Sequence, residues 1–287
     1  MSTDDTREIC AEYEKVILLN DHDLTYSETR RCQMALDRAR EIKGDKILVY
    51  LAIDEVLPAN WKETKDGEMV LKSKPTDMFL LEWANFLPGK KHYMPSRDAN
   101  MFRIFHDDGK TPYDNQNKDM HTQCLPYHLG GLERKIVDFP ILHFGYYNEK
   151  NIYVKHRYYQ MLDYDKTHHS AIALSRYYHF IPQKDPDYSN RPVVKQEWFW
   201  RKFDIFALVD TESTPVLIQE CKKYIDKNGI QHYAKLDIWD EPFMSYVGVS
   251  DPRSWWIKLL HKYLGLTYTT RSRWYVQVVD KVLKRIV

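Results

Sequence analysis

Apolar and polar positions follow a helical rhythm over residues 2 to about 60 and a strand rhythm from Ile136 onwards. In the first stretch Thr6 to Leu19 reads as a helix, and Ser27 to Ile42 reads as a stronger one. Ser27 is placed to cap that second helix, and Gly44 stands where a C-terminal stop belongs. The apolar run from Ile47 to Val56 fits a strand or a helix, because a short run carries no decisive period. Residues 60 to about 130 hold Pro75, Pro88, Pro95, Pro112 and Pro126 among many charged residues, and read as loop-rich. Strands are expected at Phe139 to Tyr147 and, after the turn Asn148 to Asn151, at Ile152 to Met161. Ser254 to Tyr263 reads as a short helix, and Tyr275 to Val287 as strand followed by helix. This divides the chain into a mainly helical, loop-rich region 1–130 and a sheet domain 131–287.

The segment Lys202 to Lys222 carries the most chemistry. Two runs rich in Val, Ile, Leu and Phe flank Thr211-Glu-Ser-Thr214 and Pro215, a hairpin pattern. Pairing across that turn sets Asp204 opposite Glu220 or Cys221. Glu220 and Lys222 share parity and so point to one face of a strand. Phe206, Leu208, Val216 and Ile218 border them, and Ile230 to Trp239 extends the hairpin into a meander. Asp210 reads as a turn former and is the reserve for Asp204.

At Asp204 and Glu220-Cys221-Lys222 the chain resembles the PD-(D/E)XK nuclease superfamily, over roughly Val194 to Trp239; Phe203 replaces the Pro of the motif. The resemblance implies a restriction-endonuclease-like α/β (α+β) fold, with a mixed sheet flanked by helices. It also implies Mg²⁺- or Mn²⁺-dependent hydrolysis of phosphodiesters in DNA or RNA. Asp204, Glu220 and the Cys221 carbonyl would hold the metal, and Lys222 would orient the water or offset transition-state charge. Glu197, upstream, is a candidate second-metal ligand on a preceding helix. Some cap-cleaving members place a metal-binding His upstream, for which His143, His156 and His179 all qualify.

Charge is nearly balanced over 287 residues, but unevenly spread. Residues 1–25 carry a local balance of −5 and residues 251–287 one of +6. The basic end interleaves Arg253, Lys258, Lys262, Arg271 and Arg273 with Trp and Tyr, the composition of a nucleic-acid surface. Solvated charges on an amphipathic helix give the same composition, and Trp255 and Trp256 suit a core. The tyrosine pairs, such as Tyr158-Tyr159, suit half-buried strands before they suit base stacking.

No apolar run is long enough to cross a bilayer, so no membrane partner is expected. The polar, acidic start is unlike a signal or transit peptide. Cys10, Cys32, Cys124 and Cys221 are scattered, as in reduced intracellular proteins. His121, Cys124 and His128 supply soft-metal donors without a fourth ligand at standard spacing. No phosphate-binding glycine loop, nucleophile elbow or dinucleotide fingerprint occurs, which argues against kinases, nucleoside triphosphatases and dehydrogenases. Two functions remain: a metal-dependent nuclease, or a non-catalytic nucleic-acid-binding or assembly protein.

Overall fold

The computed structural model describes residues 5–23, 27–89, 91–96, 102–113, 124–167, 169–178, 189–201, 204–208 and 217–285. They fall into two compact units. The first comprises Met1–Asn85, Tyr93–His143 and Pro192–Asp204; the second comprises Phe86–His92, Phe144–Arg191 and Ile205–Val287.

In the first unit α1 spans only Thr6–Ala11, because it buries no residue that could hold a longer helix. Helix α2 (Glu28–Glu41) forms as expected. The Arg30 amide donates to Ser27 Oγ at 3.3 Å, Cys32 and Leu36 are buried, and Gly44 takes a positive φ of 102°. The run from Ile47 to Val56 resolves into β1 (Lys46–Val49) and β2 (Glu55–Val56). After α3 (Lys65–Leu71), the stretch expected as loop-rich holds β3 (Met78–Leu80), β4 (Trp83–Phe86), β5 (Tyr93–Ser96) and β6 (Phe102–Asp107), followed by β7 (Glu133–Lys135) and by β8 (Ile141–His143), which falls inside the strand expected at Phe139 to Tyr147. The strands within 60–130 evade a period-two reading because they are short, and every residue of β6 is buried.

One sheet has the order β1-β6-β3-β7 and the other β2-β8-β4-β5, each mixing parallel and antiparallel pairs. Val70, Phe79, Leu81, Ile104, Ile136, Phe139 and Ile141 form one core cluster, each such side chain contributing about 1.5–3 kcal/mol. Arg40 of α2 forms an ion pair with Asp107 of β6 at 2.7 Å and donates to the Thr111 carbonyl at 2.8 Å, so the buried Asp107 charge is matched.

Among the described residues the second unit holds the helices α4 (Glu149–Thr167), α5 (Ala171–Tyr178), α6 (Leu217–Asn228), α7 (Glu241–Val247), α8 (Trp255–Leu266) and α9 (Trp274–Leu283). Ile152 to Met161, expected as a strand, lies inside α4. Asn148 starts that helix, its Oδ1 accepting from the Asn151 amide at 3.1 Å. Beyond Asp204 the described parts of the expected hairpin are helical, and residues 202–203 and 209–216 lie outside the described residues. Residues 205–208 form a 3-10 turn, and Leu217, Ile218, Cys221, Tyr224 and Ile225 recur at helical spacing along α6. Asp210 lies outside the described residues. Ile230 to Trp239 is a 3-10 turn and loop, not a strand, and buries Tyr233, Leu236, Ile238 and Trp239. Helix α8 starts as expected at its Ser254 cap, with Ile257 N to Ser254 Oγ at 3.4 Å. Helix α9 replaces the strand expected at Tyr275.

The fold is therefore mixed α+β, and among the described residues the sheets lie within 46–143, while 205–208 and 217–239 hold helix, 3-10 turn and loop.

Candidate functional site

Residues far apart in sequence meet in a row across the second sheet. Antiparallel pairing sets Glu55 of β2 opposite His143 of β8, and parallel pairing sets Asn85 of β4 beside the same histidine. Cross-strand partners point to one face of a sheet, and so does Trp83, two residues before Asn85. Polar groups from three strands thus converge, while Ala84 and Leu142 are buried on the alternate positions.

Glu55 is saturated. Its carboxylate accepts from Trp83 Nε1 at 2.7 Å and the Ala52 amide at 2.8 Å, and pairs with Arg103 Nη2 at 3.3 Å. The Arg103 guanidinium is buried and lies 4.8 Å from the Trp83 ring centroid and 5.1 Å from that of Tyr50. Ring faces partly compensate a cation whose Nε and Nη1 have no hydrogen-bond partner. Three donors occupy the carboxylate. Its role is to fix the 52–55 turn, from which the preceding residue, Asp54, reaches His143.

His143 has a defined tautomer. Asn85 Nδ2 donates to the Met94 carbonyl at 3.0 Å, so Asn85 Oδ1 is the atom that faces His143 Nδ1, at 2.6 Å. Nδ1 must then carry hydrogen. The other nitrogen, Nε2, lies 3.3 Å from Asp54 Oδ2. Nε2 and the Asp54 carboxylate thus present a nitrogen and an oxygen donor to the same small space. Asp54 is 32% and His143 15% exposed, so the pair is open to solvent on one side.

Of the residues expected from sequence, Glu220 and Lys222 do not share a face. Glu220 and Lys222 stand two apart on α6, about 200° around the helix, and so leave it in nearly opposite directions. Cys221 between them is fully buried, and its carbonyl is placed to accept within the helix. Burial pushes its thiol up to about 12, so it stays protonated at neutral pH. Glu220 pairs with Lys223 at 2.7 Å. Asp204 is exposed and belongs to the first unit, whereas Glu220, Cys221 and Lys222 belong to the second. Glu197 is exposed on a three-residue 3-10 turn, not on a longer helix.

At the basic end Arg253 is already engaged. It binds Asp251 through Nε and Nη2, both at 2.9 Å, and also meets the Trp239 carbonyl and His261. Lys258 lies 3.3 Å from Asp251. Lys262, Arg271 and Arg273 are exposed, and Arg271 covers the Tyr268 ring at 4.3 Å.

Among the soft donors, Cys124 turns to Glu28 and His128 bonds Thr111; His121 lies outside the described residues. His156 bonds the Tyr178 carbonyl at 3.0 Å, and His179 is likewise outside them. The four cysteines form no disulfide. Among the described residues no three His, Cys, Asp or Glu side chains gather around one point, and no helix is long and apolar enough to cross a membrane.

Sequence reasoning reached His143 as one of three histidines but missed Asp54, Asn85 and Glu55. The available signal was the acid pair Asp54-Glu55 closing the apolar run that begins at Ile47.

No protein-family model matches the chain, and a comparison with curated proteins likewise finds no match.

Proposed function

We propose that the chain is a divalent-cation-dependent enzyme acting on a phosphate-bearing substrate at Asp54 and His143. The supporting observation is the imidazole nitrogen and carboxylate that face each other at 3.3 Å, with the ring locked from behind by Asn85. A carboxylate oxygen and an imidazole nitrogen suit Mn²⁺ or Mg²⁺, and a buried partner on the far ring nitrogen is the usual support of a metal-binding histidine. Two protein ligands leave most of the shell to water and substrate, the arrangement in which Mg²⁺ commonly meets phosphate oxygens.

A bound cation supplies Lewis-acid neutralisation of charge developing on those oxygens. Asn85 holds the histidine tautomer, Glu55 holds the turn carrying Asp54, and Trp83 and Arg103 hold Glu55. The phosphodiesters of DNA and RNA, expected from the nuclease resemblance, belong to this substrate class. A non-catalytic nucleic-acid-binding or assembly role is the competing reading.

The test is turnover of DNA, RNA and small phosphate esters by the whole chain with Mg²⁺, Mn²⁺ or EDTA. Metal-dependent turnover lost in both Asp54→Ala and His143→Ala supports the proposal. Turnover that survives both, or binding of nucleic acid without turnover of any phosphate ester, contradicts it.

A further inference from the structure

Helix α9 carries its apolar face outward. At about 100° per residue Trp274, Val278, Val282, Tyr275 and Val279 fill one continuous arc of about 140°. All five are exposed, Trp274 by 75%, Val278 by 55% and Val282 by 54%. The opposite side holds Val276 and Asp280, both buried, and Leu283, which packs against the α8 cluster of Ile257, Leu260 and Leu264. A helix seated on a bundle normally turns its apolar stripe inward. Here a second stripe faces water, and Trp255 and Leu259 of α8 are exposed as well, by 73% and 51%.

Charge selects the partner. Arg271 and Arg273 precede the helix, and Lys281, Lys284 and Arg285 lie in its last turn or just beyond; all are exposed. The one acid of α9, Asp280, is neutralised by Arg176 at 2.8 Å. The surface is thus cationic, aliphatic and tryptophan-bearing together. Nucleic acid would engage the cations and rings, but the three valines offer nothing to a phosphate or a base edge. They gain only by leaving water.

We propose that α9 docks in the plane of an anionic phospholipid bilayer, with Trp274 and Tyr275 at the headgroup boundary, the valines in the acyl region and the flanking cations on lipid phosphates. Such a helix lies on a membrane without spanning it, so the absence of a spanning run does not bear on it. The inference is independent of the Asp54–His143 site.

The whole protein is sedimented with vesicles of phosphatidylcholine alone and of phosphatidylcholine mixed with phosphatidylglycerol, at low and high salt. Binding is expected to the anionic vesicles, weakened by salt. Val278→Asp with Val282→Asp is expected to weaken it at least about tenfold. Each of Arg271→Ala, Arg273→Ala and Lys281→Ala should weaken it by up to about fivefold. These positions are exposed, so circular dichroism and the unfolding midpoint should stay unchanged. Three results overturn the proposal: no sedimentation with anionic vesicles; equal sedimentation of wild type and the double-aspartate variant; or lipid-free self-association that the double variant abolishes, which makes the face a protein interface. Binding to DNA or RNA but not to vesicles overturns it too.

Discussion

Asp54-Glu55 and Glu220-Cys221-Lys222 are both short charged segments beside apolar runs, yet only the first belongs to a converging polar cluster. On α6 the neighbours of Glu220 follow helical geometry, so closeness in sequence scatters Glu220 and Lys222 around an axis and sends Cys221 into the core. At Asp54 local geometry contributes only the turn. The remainder comes from strand register, which brings Glu55, Asn85 and His143 into one row from three separate strands. Chemistry concentrated in sequence is therefore a weaker guide than chemistry concentrated by pairing.

The largest effect is expected at Cys221. It lies in a core with Tyr153, Val154, Tyr233, Trp239 and Phe243. Cys221→Asp buries a carboxylate among these apolar side chains and should cost on the order of 3–5 kcal/mol in urea unfolding. A change below about 0.5 kcal/mol would put this residue on a surface, as a strand reading requires.

Glu55→Ala comes next. It strands the buried Arg103 cation and should destabilise the first unit by about 3 kcal/mol. Glu55→Gln, which keeps the shape, should lose less. Equal losses in the two variants would mean that packing, and not the ion pair, dominates.

Arg253→Ala should remove about 1.5–3 kcal/mol by breaking charge-assisted bonds to Asp251. Arg253 beside Asp251 holds that carboxyl well below its ordinary value of 3.8. A depressed folded-state value stabilises above the unfolded value and is lost as pH falls through the folded one. Wild type should therefore lose this contribution progressively below about pH 4, and Arg253→Ala should show a shallower loss over the same range. Parallel acid-unfolding curves would remove Arg253 as the cause.

Smallest are Glu220→Ala and Lys222→Ala, each expected to change stability by less than about 0.5 kcal/mol. A loss of several kcal/mol in either would give α6 an electrostatic role beyond its Glu220–Lys223 surface pair.

The sequence was legible where the signal was local. Ser27 caps the helix expected of it, and the helix expected from Ser254 starts there, because a cap needs only a side-chain oxygen three residues before an amide. Reading failed where a short apolar run was given a period too soon. Leu217 to Lys222 looks strand-like on its own, and only continuation through Tyr224 and Ile225 to Gly229 makes the helical spacing visible. Ile152 to Met161 failed likewise, since its β-branched and aromatic residues suit strands, but packing against other helices decides the outcome. The Asp54–His143 site was hidden because Asp54 sits in a turn while Asn85 and His143 lie in separate strands, and no local pattern encodes their register.

Mn²⁺ uptake followed by electron paramagnetic resonance compares the two regions in one measurement. Wild type is expected to bind the ion, Asp54→Ala and His143→Ala each to lose it by about tenfold or more, and Glu220→Ala with Lys222→Ala to bind like wild type. Uptake that survives Asp54→Ala and His143→Ala, or that disappears in the Glu220/Lys222 variant, would contradict the proposed site.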